Sequence, residues 1–254
     1  MVQLDVITPE TLDDKGFFCR MSKMKTDGNQ RKLRWMQPRF DEGLHMTLLG
    51  DGGRGFVEVM PGEHCWRPVQ AKGWSVIHCL WVVGKSKGHG HGAALLDDAI
   101  AHARAVGSAG LAVVTRAKNW VTPQSFFAKH GFEVVDEGAD GFVLMTLPFE
   151  GSGAKTPKFT THNWPKRLEN HADGVVVFRT DQCPYLSDAT DGVIAVAKEL
   201  KLDVEVVELA TAAQVRSRAP SPYGVFAIAF NGKLVTSTYA LPKDLKGMLQ
   251  ARMS

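Results

Sequence analysis

Apolar and polar positions follow two rhythms along the first 149 residues. QLDVIT (3–8), HMTLLG (45–50), GFVEVMP (55–61) and WSVIHCLWVV (74–83) are short and rich in β-branched and aromatic residues, the composition of strands. The polar stretch 9–44 between the first two reads as helical. At residue 93 the period changes: AALLDDAIAHARAV places Leu95, Leu96, Ile100, Ala103 and Val106 on one face and Asp97, Asp98 and Arg104 between them, a helical pattern. Strand GLAVVTR (110–116), short helix PQSFFAKH (123–130) and strands GFEVV (131–135) and GFVLMTLPF (141–149) follow. The sum is a mixed α/β domain around one sheet.

FEGSGAKTPKF (149–159) breaks the pattern with glycine, serine, lysine and proline. A linker is expected over 150–165, dividing a first domain, 1–149, from a second, 166–254. The second reads as strand GVVVFR, a helix from about Tyr185 to Leu200, strand LDVEVVEL, a short helix, strand VFAIAF, an Asn231-Gly232 hairpin turn, strand KLVTSTYA and a final helix PKDLKGMLQ. This succession is a small α/β unit of its own. Neither half carries an internal repeat.

Composition narrows the classes. At 254 residues, 44% hydrophobic and 22% charged, the chain has the make-up of a folded globular protein, and a net charge of +3 lacks the basic excess of a nucleic-acid binder. The acidic residues of MVQLDVITPETLDD do not suit a signal peptide, and no run of about 18 apolar residues suggests a membrane span. A cytoplasmic protein without membrane or nucleic-acid partners is expected. Cys19, Cys65, Cys79 and Cys183 show no CxxC spacing, so neither a disulfide framework nor a zinc ribbon is indicated.

The densest candidate chemistry is CLWVVGKSKGHGHGAALL (79–96), a strand, a glycine loop and a helix. That order presents free backbone N–H groups and the positive end of a helix dipole to an anion. Glycines 88, 90 and 92 allow close backbone approach, and Lys85 and Lys87 add donors. Glycine loops also occur as plain turns. The loop lacks GxxxxGK[ST], and no acidic strand end follows at the distance a dinucleotide fold requires.

Lys87-Gly88-His89-Gly90-His91-Gly92 resembles the Q/R-x-x-G-x-G/A signature of the GCN5-related N-acetyltransferases (GNATs). LWV before it, the helix after it, Asn119 downstream, and FFAKHGFEVV in place of that family's fYeklGF segment extend the resemblance over residues 1–149. It implies a GNAT fold, a mixed and mostly antiparallel sheet flanked by helices, with acetyl-CoA as cosubstrate and an amine as acceptor; a small-molecule amine is the expected acceptor. The pyrophosphate would rest on Lys87, Gly88, His89, Gly90, His91 and Gly92. The pantetheine would run along Leu80, Trp81 and Val82, where two strands part and leave backbone groups unpaired. Asn119 and Phe127 complete the implied cofactor site.

The sequence departs from the family where acid and base are expected. Phe127 replaces the tyrosine that often serves as acid and Val114 a frequent glutamate. Glu58 and His78, on strands near the expected parting, are the replacement candidates for the base. His64-Cys65 and His78-Cys79 each offer one side chain to a given strand face, which argues against a metal site. The metal reading of His89 and His91 leaves the glycines unexplained.

In the second domain Cys183 lies between a strand and a helix, with Pro184 after it, a position that favours the thiolate. Cys-Pro-Tyr resembles the glutaredoxin active site with Leu186 in place of the second cysteine, and the element order resembles the thioredoxin fold, with Pro222 as its expected cis-proline. The two halves together resemble the YoaP-like acetyltransferases, a GNAT domain followed by a small thioredoxin-like α/β domain. Three functions stay open: an acetyl-CoA-dependent N-acetyltransferase, a thiol redox or thiol-conjugate enzyme using Cys183, and a non-catalytic CoA sensor.

Overall fold

The computed structural model of the chain describes residues 2–117, 120–151 and 153–253. They divide into two compact units. In chain order the elements of the first half are β1 (Leu4–Ile7), α1 (Leu12–Lys15), α2 (Asp27–Asp41), β2 (His45–Leu49), β3 (Gly55–Pro61), β4 (Val69–Gln70), β5 (Ser75–Val82), α3 (His91–Ala105), β6 (Gly110–Arg116), α4 (Gln124–Lys129), β7 (Glu133–Glu137), β8 (Phe142–Pro148) and β9 (Lys158–Phe159). Then follow β10 (Val175–Arg179), α5 (Leu186–Glu199), β11 (Val204–Glu208), α6 (Ala212–Arg218), β12 (Phe226–Phe230), β13 (Lys233–Thr236) and α7 (Pro242–Met253).

The first unit, residues 1–22, 33–65 and 69–159, is organised by a seven-stranded sheet ordered β1-β2-β3-β5-β6-β8-β7. Its neighbours are antiparallel except β5 and β6, which pair parallel only from Ser75 to Ile77 against Leu111 to Val113. Helix α3 meets the sheet through Leu95, Leu96, Ala99 and Ala103, spaced to form one helical stripe. These four pack with Val57, Val59, Ile77, Leu80 and Leu111 from the strands and with Phe127 from α4.

The expected linker carries structure. Phe159 is buried and β9 pairs with β4, while the Phe159 amide donates to Asp136 Oδ2 at 2.8 Å and Trp74 Nε1 donates to the Lys155 carbonyl at 3.0 Å. Two apolar anchors in a polar stretch, Phe159 and the buried Trp164, hold what glycine and proline suggested would be free chain.

The second unit contains residues from Thr160 onward together with Lys23–Lys32 and Trp66–Pro68. Its four-stranded sheet is ordered β11-β10-β12-β13, with β10 parallel to β11 and antiparallel to β12. β12 and β13 form a hairpin through Asn231 and Gly232, both at positive φ, as a tight two-residue turn requires. Val193, Val196 and Ala197 of α5 and Leu245 and Leu249 of α7 share one core with Val175, Val177 and Ile228 of the sheet.

Candidate functional site

The glycine loop begins where β5 ends. A 3-10 turn at Gly84–Ser86 is pinned to the start of β3: the Arg54 amide donates to the buried Ser86 Oγ at 2.9 Å, and the Val83 amide donates to the Arg54 carbonyl at 2.9 Å. Gly88 (φ 81°) and Gly90 (φ 76°) then take left-handed conformations, and Gly90 caps α3. A Cβ at either would meet nothing within 4 Å, so backbone geometry, not crowding, calls for glycine there. The first amide with a helical partner is that of Ala94, donating to Gly90 O at 3.1 Å. The amides of the first turn have no intrahelical acceptor, and the dipole of a 15-residue helix stands behind them. Lys87 and His89 are exposed beside this cradle, and His91 is half-buried with its ring centroid 6.0 Å from that of His89. Gly92 lies against Phe126, whose ring would be 3.2 Å from an added Cβ.

Beside the loop, β5 and β6 part after Ile77 and Val113, placing Leu80, Trp81 and Val82 on the stretch of β5 that pairs with β3 but no longer with β6. One expectation needs correction. Leu80 does not offer a free carbonyl: Thr122 Oγ1 donates to it, and Thr115 Oγ1 donates to the Thr122 carbonyl at 2.5 Å. Thr122 thus bridges from the segment after β6 to β5 across the parting. A threonine in a loop carries no sequence signal for such a bridge.

Glu58 and His78 are one feature, not two alternatives. β3 and β5 slip register between Glu58 and Val59, since Glu58 faces Cys79 while Val59 faces Ile77, which makes His78 the extra residue of a β-bulge. The bulge sets His78 Nδ1 3.2 Å from Glu58 Oε1, with both side chains buried at 1% and 4% exposure. The hydrogen bond orients the imidazole ring against the carboxyl group. The Trp35 ring of α2 lies tilted against the imidazole, ring centroids 6.2 Å apart. Neither the bulge nor Trp35 is legible from residue types alone.

Phe127 is fully buried at 1% exposure, edge-on to Phe126 and Phe132 at 5.3 Å each, so its ring belongs to the core and not to a cofactor surface. Val114 is likewise buried in β6. Asn119 lies outside the described residues. No group of three or more metal-ligating side chains is placed together among the described residues.

Cys183 is half-buried in the turn before α5 and packs at the edge of the second core. Its turn is braced within the second unit. Arg67 donates to Gln182 Oε1 and lies 4.5 Å over the Tyr223 ring, and Arg31 and Arg179 both reach Asp181. Ser187 Oγ donates to Asp27 Oδ2 at 2.7 Å; that hydrogen bond, against the opposing effect of burial, holds the Asp27 carboxyl below its ordinary range. The expectation of a cis-proline at Pro222 is not met: every described peptide bond is trans.

Over 233 residues, 91% of this chain and 91% of the relative, the sequence is 29% identical to an uncharacterized N-acetyltransferase, YoaP, of Bacillus subtilis strain 168. No protein-family model matches the sequence. Among solved structures, the chain is similar to a putative GNAT-family acetyltransferase from Desulfovibrio desulfuricans, at 17% identity and TM-score 0.41 over 58% of this chain and 99% of that one. It is also similar to a GNAT-family acetyltransferase from Brucella melitensis in complex with acetyl-CoA, at 14% identity and TM-score 0.39 over 63% and 94%.

Proposed function

We propose that the chain is an acetyl-CoA-dependent N-acetyltransferase whose acceptor is a small amine. One observation carries this reading: the glycine cradle at the N-terminus of α3 directly adjoins the stretch where β5 and β6 part. A diphosphate on the amides of residues 88–92 is then followed by an extended thioester arm along Leu80, Trp81 and Val82. The relative's description as an N-acetyltransferase supports the same reading.

In the reaction the amine nitrogen attacks the thioester carbon, a base removes the ammonium proton, and the CoA thiolate departs. His78 is the base we assign, oriented by its hydrogen bond to Glu58. Positions 127 and 114 carry no proton donor, so neither side chain protonates the thiolate. The amino-terminal unit holds the acyl donor in this reading. The second unit we read as thioredoxin-like, on its β-α-β-α-β-β-α order and mixed four-stranded sheet, and we assign Cys183 no part in the transfer. A cytoplasmic setting suits four thiols free of disulfides.

Calorimetric titration with acetyl-CoA tests the cradle. At Gly90 a β-branched side chain is strained by the positive φ and projects into the open space in front of the loop, so Gly90→Val is expected to weaken binding at least about tenfold. Unchanged affinity in the variant, or no binding by the native chain, would remove the proposal. A panel of amines assayed for CoA release then identifies the acceptor class.

A further inference from the structure

Strand register sorts the side chains around the His78–Glu58 pair onto the two faces of the large sheet. Phe56 lies opposite Trp81, and Glu58 opposite Cys79. Opposed residues share a face, as do positions two apart on one strand, so these four side chains stand together. Val57, Val59 and Leu80, at the alternate positions, pack with α3 on the other face. A third ring comes from the segment after α1: the Phe18 and Phe56 centroids are 5.5 Å apart, the rings tilted by 33°. Phe18 reaches that place from a left-handed backbone, φ 75°, a conformation that bulky side chains rarely take. Its neighbour Phe17 is buried whereas Phe18 is half-buried, so the strained position is not the one that fills the core. The face is partly open to solvent at Phe18, Cys79 and Trp81 and closed at Phe56, Glu58 and His78.

We propose that this face selects an arylalkylamine as the acetyl acceptor, with Phe18 as the specificity-determining residue. The inference rests on the acetyltransferase reading above and on His78 as the base. The amine nitrogen has to lie at His78 for its proton to be taken, and positions 56 and 58 are about 7 Å apart along β3. An amine on a short alkyl arm covers that distance. It sets its own ring among those of Phe18, Phe56 and Trp81, where aromatic pairing adds to the burial of area. A hydroxyl on the same arm gains none of that contact. Trp81 lends its backbone to the thioester arm and its side chain to the acceptor, which brings the two substrates together on one strand.

The test compares phenethylamine with ethanolamine, which carries a hydroxyl in place of the ring on the same two-carbon arm, by CoA release from acetyl-CoA. The native chain is expected to show a kcat/KM at least about tenfold higher for the aromatic amine, the scale of burying one ring. Glycine takes the positive φ of position 18 without strain, so Phe18→Gly retains the fold and removes one ring of the three. The variant is expected to narrow the ratio between the two amines at least about threefold, the scale of one aromatic pair. Its affinity for acetyl-CoA, measured by calorimetry, is the control for folding. Equal kcat/KM for the two amines, a ratio undiminished in the variant, or turnover of neither amine by a chain that binds acetyl-CoA overturns the inference and leaves the acyl-donor reading standing. Failure of the native chain to bind acetyl-CoA overturns both.

Discussion

At the scale of single residues the assigned chemistry depends on one hydrogen bond, between His78 and Glu58. Without it the buried imidazole would lose the partner that orients it. Removing the base, as in His78→Ala, is expected to lower kcat by about 10²–10⁴-fold, the usual contribution of general base catalysis. Glu58→Gln keeps a hydrogen-bonding partner for Nδ1 without the acidic group, so a smaller fall in kcat is expected. The acetyl-CoA KM is expected to stay near native in both, since neither residue belongs to the cradle. Steady-state kinetics with the identified amine separate the two parameters. A kcat unchanged in His78→Ala would show the pair to be a core hydrogen bond only. The residue types Glu and His were readable from sequence as candidate bases. Their pairing was not, because it depends on a bulge that adds one residue to β5 against β3.

At the scale of elements, α3 is the part whose position matters most, and it is tied to β2 by side chains the strand and helix patterns do not mark. Asp98 accepts from Thr47 Oγ1 at 2.7 Å and lies 2.8 Å from His45 Nε2, while the His45 and His102 rings stack at 3.9 Å and 6°. Burial works against the Asp98 carboxylate, but the hydrogen bonds from His45 and Thr47 and the nearby imidazoles hold its pKa below the ordinary value. Burial first, and then the charge of His45, push His102 down to about 4, with Asp98 opposing only in part. The unfolded chain therefore binds more protons at His102 than the folded one between about pH 6.5 and 4. Stability from this source is fully present above pH 6.5 and is lost as pH falls through 4. After solvent screening of a half-exposed group it is worth about 1 kcal/mol. Denaturant unfolding from pH 7 to 4 is expected to show His102→Gln losing less stability than the native chain over that interval. Parallel slopes would refute a role for the stack. Legibility here follows period: α3, the strands of the large sheet and the β12–β13 hairpin announce themselves by spacing or by Asn-Gly. The two-residue ladder of β4 and β9 is too short for any period to register and is held by Phe159 and the Asp136 carboxylate.

At the scale of the whole molecule, the order of residues along the chain and their membership of units part company. A boundary read from glycine and proline near residue 150 separates the halves of the sequence, yet Lys23–Lys32 and Trp66–Pro68 belong with the second unit. The physical reason lies in contacts between residues more than a hundred positions apart, to which no local pattern points. Gln182 is buried with Arg67 as donor to its carbonyl and the Trp66 carbonyl as acceptor of its amide. Gly28 approaches the Pro184 carbonyl so closely that a Cβ would lie 2.0 Å from that oxygen. In an isolated helix Gly→Ala stabilises by about 1 kcal/mol. Here the clash with backbone decides the sign, and Gly28→Ala is expected to destabilise by about 1–3 kcal/mol net. A fragment beginning at Thr160 loses both contacts outright, and each buried polar group left without its partner costs about 1–3 kcal/mol. For a unit of this size that is a large share of total stability. The fragment is therefore expected to lack a cooperative thermal transition by near-ultraviolet circular dichroism, while the full chain retains one. A fragment that melts cooperatively at the temperature of the full chain would show that the earlier segments decorate the second unit without completing it.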